Sequence, residues 1–175
     1  GGRVSIDGVD LQQLEPAEMR SRMGYVGQEA QLFQGSLRDN LVLSDSWISD
    51  TRIIEVLQKL DMYTMVASHP RGLDMPLTEA GGGLSGGQRQ LVNLTRVFLR
   101  RPRIWLMDEP TAAMDRQLAD HVTRALQQAL RPQDTLVLVT HKPEMLTLVD
   151  RLVVIAKHEV LLDGPKEQVL RQLQA

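Results

Sequence analysis

Apolar residues follow two spacings along this chain, and the spacing changes from strand-like to helical and back. Alternating apolar and polar residues over 3–11 predict a strand and hairpin that turn at Asp7-Gly8. A second short strand is predicted over 23–28. Residues 36–100 have helical spacing instead, and we expect no strand there.

Strands return after residue 100. A short apolar run at 104–107 predicts a buried strand, and the β-branched run at 135–140 predicts another. An amphipathic helix is predicted between them over 118–130. A hairpin over 151–163 and a helix over 166–173 complete the chain. This alternation of strands and helices predicts an α/β fold with a mostly parallel sheet.

The composition limits the classes of function. The chain has 175 residues, which is one domain, with 42% hydrophobic and 24% charged residues and a net charge of −2. This charge indicates no general attraction to nucleic acid or anionic lipid. The absence of cysteine excludes disulfides and thiolate metal sites. The apolar runs are far shorter than the ~20 residues that span a bilayer.

A serine and two glycines open the helical run that begins near residue 85. The letters LSGGQ occupy 84–88. A helix start presents unpaired backbone N–H groups and the positive end of the helix dipole, and glycines let an anion approach closely. Such glycines more often only serve turn geometry. The motif alone therefore leaves anion binding and an ordinary loop both open.

Two adjacent carboxylates, Asp108 and Glu109, end the predicted strand at 104–107. Ligands of α/β sheets bind beyond the carboxyl ends of strands. An aspartate there can hold Mg²⁺, and a neighbouring glutamate can take a proton from water. His141 follows the next predicted strand, and right-handed winding would place both strand ends along one edge. A solvated turn is the alternative interpretation of the Asp-Glu pair.

The combination of these motifs resembles the nucleotide-binding domain of ATP-binding-cassette (ABC) proteins. LSGGQ is followed by a helix that ends at 100–102, by the strand with the Asp-Glu pair and by the letters AMD at 113–115. LSGGQ looks like the signature motif of that family, and the strand looks like its Walker B strand. The resemblance implies a P-loop NTPase (RecA-like) fold. It also implies a catalytic α/β lobe over 1–35 and 101–175 and a helical signature subdomain over 36–100.

The resemblance also implies a role for each candidate residue, with ATP and Mg²⁺ as cofactors. Asp108 and Gln28 would organise Mg²⁺, and Glu109 would polarise the attacking water. His141 would contact the γ-phosphate. The other candidates would bind the nucleotide or form the dimer contact: Ser85, Gly86, Gly87, Gln88 and Asp115. Without the resemblance, Gln28 is an ordinary polar loop residue and His141 a surface or capping residue.

The phosphate loop of this family is missing from the given chain. A P-loop has the pattern G-x-x-x-x-G-K-[ST], and no lysine here follows a glycine: the four are Lys59, Lys142, Lys157 and Lys166. We expect the chain to begin inside the domain, after the P-loop, its strand and helix and an adenine-stacking aromatic residue. Such a chain should bind ATP poorly, hydrolyse essentially none and self-associate through exposed sheet surface.

The resemblance implies the partners as well. Two nucleotide-binding domains would face head to tail and enclose ATP between the P-loop of one and the LSGGQ of the other. Residues 31–41 and a flexible lead at 78–83 that contacts a transmembrane domain are similar to ABC exporters, most of all bacterial type I secretion and peptide exporters. We therefore expect a transmembrane domain of the same transporter as partner, at the cytoplasmic face of the bacterial inner membrane.

Two other functions stay open. A soluble ABC ATPase of DNA repair or translation would be expected to show a long coiled-coil insertion or basic patches, and we see neither, so we expect no nucleic-acid partner. A regulatory or interaction module would never bind ATP. The set of Asp108, Glu109 and His141 argues against this last alternative for the parent protein.

Overall fold

Strands and helices alternate along the chain, as the spacing of apolar residues predicts. The computed structural model describes residues 2–43, 45, 47–79 and 82–174. Ala80 and Gly81, in the predicted flexible lead, lie outside the described residues. The strands are β1 (Ser5–Ile6), β2 (Val9–Asp10), β3 (Met23–Val26), β4 (Gly35–Ser36), β5 (Pro76–Leu77), β6 (Ile104–Asp108), β7 (Thr135–Val139), β8 (Arg151–Ala156) and β9 (Glu159–Pro165). The helices are α1 (Pro16–Arg22), α2 (Leu37–Val42), α3 (Asp50–Lys59), α4 (Tyr63–Ser68), α5 (Gly86–Arg100), α6 (Arg116–Ala129) and α7 (Lys166–Leu173).

A parallel sheet in the order β3-β6-β7 forms the centre of the fold. The pairing places Tyr25, Leu106 and Val137 in one row across the three strands. Since parallel strands end at the same edge of a sheet, the residues after Val26, Asp108 and Val139 meet there. The predicted α/β class with a mostly parallel sheet is confirmed.

One face of this sheet is covered by helices. Its side chains include Val26, Trp105 and Met107, none more than 2% exposed. Helix α5 packs on β3, and it approaches so closely that a Cβ on Gly24 would lie 2.6 Å from a methyl carbon of Val97. Side chains of α6 join the same core. Close packing of this kind explains why a glycine stands in the strand.

The opposite face of the sheet is open. Tyr25 is 64% exposed, Val137 52% and Val139 54%. Along the described residues, no strand pairs with the outer edge of β7, and the β8–β9 hairpin forms a separate two-stranded sheet. The sequence-based expectation of exposed apolar sheet surface and an unpaired edge is confirmed. We call Tyr25, Val137 and Val139 the open face.

Helices dominate residues 36–100, but the expectation that strands disappear there is wrong at one place. Strand β5 pairs antiparallel with β4, and the Leu37 N–H donates to the carbonyl of Met75. Two paired residues leave no periodic signal, so the pattern of apolar residues could not show this contact. Serine side chains cap two of these helices: those of Ser36 and Ser49 accept from N–H groups in the first turns of α2 and α3.

Candidate functional site

Side chains from three segments meet at the carboxyl edge of the parallel sheet. Gln28 follows β3, Asp108 ends β6, and the amide Nε2 of Gln28 donates to Oδ1 of Asp108 at 3.5 Å. The two residues are 80 positions apart in the sequence. The predicted proximity of Gln28 and Asp108 therefore follows from the parallel pairing of their strands.

Glu109 is held in an unusual conformation beside this pair. Its φ angle is +48°, in the left-handed region that non-glycine residues seldom adopt. Its N–H donates to the carbonyl of Val139 at 2.9 Å, and its Oε1 accepts from the backbone N–H of His141 at 2.9 Å. These bonds fix the carboxylate to the end of the neighbouring strand. The side chain is only 13% exposed.

The imidazole of His141 is exposed to solvent, so a ligand can contact it. It is 95% exposed, and its Nε2 lies 3.7 Å from Oε1 of Glu109. The short contact to Glu109 comes from the backbone of His141 rather than from its ring. The backbone therefore orients the carboxylate, while the ring can turn toward solvent.

The start of α5 forms a second group of candidate residues. Oγ of Ser85 accepts from the Gln88 N–H at 3.1 Å, and Oε1 of Gln88 accepts from the Ser85 N–H at 2.8 Å. This reciprocal pair is a capping box, which satisfies two backbone donors at the helix start. Because the Ser85 hydroxyl is used only as an acceptor there, its own proton remains available to a ligand.

The glycines of the motif allow α5 to touch the segment before α6. A Cβ on Gly87 would lie 3.2 Å from the carbonyl oxygen of Ala113, and one on Gly86 would lie 3.5 Å from the Ala113 Cβ. Asp115 then caps α6 by accepting from the Leu118 N–H at 2.9 Å. The starts of α5 and α6 therefore lie side by side.

Among the described residues, those at the start of α5 make no direct bond to the carboxylates at the edge of the sheet. In the part of the chain that the structure describes, no hydrogen bond or ion pair joins Ser85 or Gln88 to Asp108, Glu109 or His141. Within one chain, the LSGGQ start and the carboxylate cluster are separate surfaces.

Helix α5 does hold the segment around Gln28, through two residues that the sequence analysis did not single out. Gln90 is 2% exposed and its Nε2 donates to the carbonyl of Gly27 at 3.1 Å. The guanidinium of Arg96 donates to the carbonyls of Gln31 and Asn40 at 2.9 and 2.6 Å. Burial, with a smaller effect of Arg100, lowers the pKa of Arg96. The only sequence signal was that a polar residue on a packed helix needs a partner.

The oxygen atoms at the carboxyl edge suit a hard cation such as Mg²⁺, but they are too few to fill its coordination shell. Asp108 and Gln28 offer oxygen atoms, which Mg²⁺ prefers, and Mg²⁺ commonly takes few protein ligands together with phosphate oxygens and water. In 2–43, 45, 47–79 and 82–174, no group of three or more histidine, aspartate or glutamate side chains could hold a metal ion. The residues present fit Mg²⁺ that arrives with a ligand.

The geometry places the candidate residues at the carboxyl edge of a parallel sheet, where α/β domains commonly bind ligands. Residues 1–112 match the family model described as ABC transporter. This match covers more than half of the chain, so the chain belongs to the ABC transporter family.

Proteins similar to this chain are transporters or their ATP-binding components. It is 34% identical over 172 residues to the ABC-type transporter kk1G of Curvularia clavata, across 98% of this chain and 13% of that protein. It is 33% identical over 169 residues to the cyclolysin secretion/processing ATP-binding protein CyaB of Bordetella pertussis, across 97% of this chain and 24% of that protein. The chain thus spans about a quarter or less of the length of these two relatives.

A solved structure shows the same fold. The chain superposes on a bacterial Atm1-family ABC exporter with ATP bound, with a TM-score of 0.90 and 24% sequence identity, across 98% of this chain and 30% of that one. Among the helices that the structure describes here, none is long and apolar enough to cross a membrane.

Proposed function

We propose that this chain is part of the ATP-binding and ATP-hydrolysing domain that drives export in an ABC transporter. The observation that carries the proposal is the Glu109 carboxylate, fixed by the His141 N–H beside the Gln28–Asp108 pair. Membership of the ABC transporter family and the names of the relatives support the same function. A soluble ABC ATPase of DNA repair or translation is not favoured by these relatives.

The carboxylate cluster has the chemistry for hydrolysis. Asp108 and Gln28 would ligate Mg²⁺, which would supply charge neutralisation at the phosphates of ATP. Oε1 of Glu109 is occupied by the His141 N–H. Its other oxygen is left to accept a proton from the attacking water, which is the work of a general base. The exposed ring of His141 would contact the γ-phosphate.

The start of α5 would serve the nucleotide of a second domain. It is not bonded to the carboxylate cluster of its own chain, as described above, and Ser85 is exposed at the helix start. The Ser85 hydroxyl, the N–H groups of Gly86 and Gly87, the side-chain amide of Gln88 and the helix dipole favour a phosphate. Asp115, beside this surface, would lie at the dimer contact. We propose that two domains pair head to tail in this way.

The open face indicates what completes the domain. A further strand along the free edge of β7, followed by a helix across the open face, would bury Tyr25, Val137 and Val139. A phosphate-binding loop between that strand and helix would come beside the end of β7, close to His141, at the carboxyl edge. We propose that the parent protein supplies this strand, loop and helix.

The proposal includes a membrane partner. The ATP-binding domain would work at the cytoplasmic face of a membrane, held there by the transmembrane domain of its own transporter. Residues 36–100 would be the signature subdomain, and 1–35 with 101–175 the catalytic lobe. The loop at 31–35 and residues 78–79 would face the transmembrane domain.

Removing the proposed base tests this function. In the intact parent transporter, Glu109→Gln should lower ATP hydrolysis about 10²–10⁴-fold, because general-base catalysis is lost, and should leave ATP binding in place. Glu144→Gln is the matched control, since Glu144 is exposed and its side chain has no hydrogen-bond partner among the described residues. Unchanged hydrolysis by Glu109→Gln would contradict the assignment.

A further inference from the structure

A cleft of about 300 Å³ lies on the side of the molecule away from the carboxylate cluster. It is formed by α3, the end of α5 and the part of α6 from residue 121 onward. Its α6 residues lie about 9–21 Å along the helix from Asp115, at 1.5 Å per residue. Trp105 in its wall stands about 10 Å before Asp108 on β6, at 3.3 Å per residue. The cleft is therefore distinct from the proposed ATP site.

The lining of this cleft is strongly cationic. Four side chains with a positive charge line it, and none of the described lining residues is aspartate or glutamate. The four are Arg52, Lys59, Arg101 and Arg124. Arg52 pairs with Glu55 at 3.1 Å, whereas the other three have no ion pair within the described ranges. Like charges that converge in a protein of net charge −2 repel one another unless an anion joins them.

One hydrogen-bond donor in the described wall of the cleft lacks a partner. Trp105 is 1% exposed, and its indole Nε1 is buried without a hydrogen-bond partner in the described structure. The backbone carbonyls nearby are already used: Lys59 accepts from Nε2 of His121 at 2.9 Å, and Phe98 accepts from Arg52 at 3.4 Å. A buried donor without a partner is rare in folded proteins and calls for an acceptor. The ligand that suits such a cleft is rich in acceptor oxygens.

We propose that this cleft binds a small anion that bears two or more phosphate groups. Phosphate oxygens accept from guanidinium and ammonium groups in charge-assisted bonds, and each phosphate can neutralise more than one cation. Phe98 and Trp105 form an apolar wall, with ring centroids 5.6 Å apart in an edge-to-face contact. The described lining of this site includes none of the residues of the carboxylate cluster.

The chain contains its own reporter for this site. It has two tryptophans, and the other one, Trp47, is 71% exposed. In a Trp47→Phe background, Trp105 becomes the sole tryptophan. Titration with tripolyphosphate should then change its fluorescence emission saturably, and competition by inorganic sulfate should be weak because sulfate has fewer charges.

Variants that remove one positive charge from the cleft show where tripolyphosphate binds. Arg124→Gln, and Arg101→Asn, should each raise the Kd for tripolyphosphate about tenfold or more, as expected for loss of one charge-assisted bond. Asparagine suits position 101 because that residue has a φ of +50°, which asparagine tolerates. Arg116→Gln makes the same change on the same helix outside the cleft, and should alter the Kd less than twofold. Circular dichroism confirms that each variant is folded.

A second arm distinguishes the source of the phosphates. Vesicles that contain a phosphoinositide, compared with pure phosphatidylcholine vesicles, test whether the groups belong to a lipid headgroup. If the chain sediments with the phosphoinositide vesicles and Arg124→Gln does not, the ligand is a lipid headgroup. If the chain binds tripolyphosphate but does not sediment with these vesicles, the ligand is a soluble metabolite. The proposal is overturned if neither probe binds, or if Arg116→Gln weakens binding as much as Arg124→Gln does.

Discussion

At the scale of single residues, the site depends on backbone groups as much as on side chains. Glu109 is oriented by the N–H of His141 and by its own N–H to Val139. The sequence predicts that Asp108, Glu109 and His141 meet, because the ends of neighbouring parallel strands share one edge. It could not predict which atom of His141 makes the short contact, since that depends on the φ of Glu109 rather than on residue type.

Gln90 is a second residue whose contact no pattern could reveal. Its partner, the Gly27 carbonyl, is 63 positions away, and a buried glutamine looks like any polar helix residue in the sequence. Its bond holds the segment that carries Gln28 against α5. It is a positioning residue in this account.

Loss of the Gln90 bond should affect both stability and hydrolysis. Gln90→Leu leaves the Gly27 carbonyl without its partner and should cost about 1–3 kcal/mol in the free energy of unfolding. In the parent transporter it should also raise the Mg²⁺ concentration needed for half-maximal hydrolysis, because Gln28 loses its support. Gln127→Leu, at an exposed position of α6, is the control. A stability loss with an unchanged Mg²⁺ dependence would limit Gln90 to a structural role.

At the scale of elements, the start of a helix is easiest to explain where a neighbouring side chain caps it. Ser36 and Ser49 stand just before helical runs and accept bonds from residues three positions on, so these caps depend only on residues close in the sequence. Helix α1 was not predicted, although Pro16 at its start is a helix signal. It has seven residues, none of them buried, so it leaves almost no apolar periodicity. The β4–β5 pair was missed because it is a contact between distant segments.

The cap of α2 gives a prediction about pH. Oδ2 of Asp39 accepts from the Ser36 hydroxyl and from its N–H, and the hydroxyl bond is the main reason that the pKa of Asp39 lies below its usual value. A lowered pKa in the folded state means that the stabilisation is fully present above the unfolded pKa of about 3.9. It is lost as the pH falls through the lower folded value.

Chemical unfolding at pH 6 and pH 3 measures this effect. The unfolding midpoint of the unmodified chain should fall more between these two pH values than that of Asp39→Asn, which cannot ionise. Asp61→Asn is the control, because the Asp61 carboxylate has no hydrogen-bond or ion-pair partner in the part of the chain that is described. An Asp39→Asn variant with the same pH dependence as the unmodified chain would show that this carboxylate does not contribute.

At the scale of the whole molecule, the sequence predicts the order of strands and helices better than the way the sheet is closed. The parallel sheet follows from the alternation of elements and from the two apolar strands after residue 100. The hairpin and last helix also lie where they were predicted. The separation of β8–β9 from β7 follows from no local signal, because strand pairing is a contact between segments far apart in the sequence.

The open face predicts self-association of the isolated chain. Sedimentation velocity should show a mass that rises with protein concentration, because exposed apolar surface and a free strand edge promote pairing. Val137→Lys should reduce this association, since it places a charge in the middle of the open face. Val4→Lys changes a similarly exposed valine outside the parallel sheet and should have little effect. A monomer at high concentration would refute this expectation.

The central claim is that this chain carries the catalytic carboxylates of an ATPase domain whose phosphate loop lies elsewhere in the parent protein. The most direct test is equilibrium binding of Mg²⁺–ATP to the 175-residue chain and to the same chain extended upstream in its own gene. The account predicts little or no binding by the short chain and restored binding by the longer one, with hydrolysis that Glu109→Gln abolishes. Tight binding by the short chain alone would contradict it, because the phosphate cradle would then lie within the residues described here.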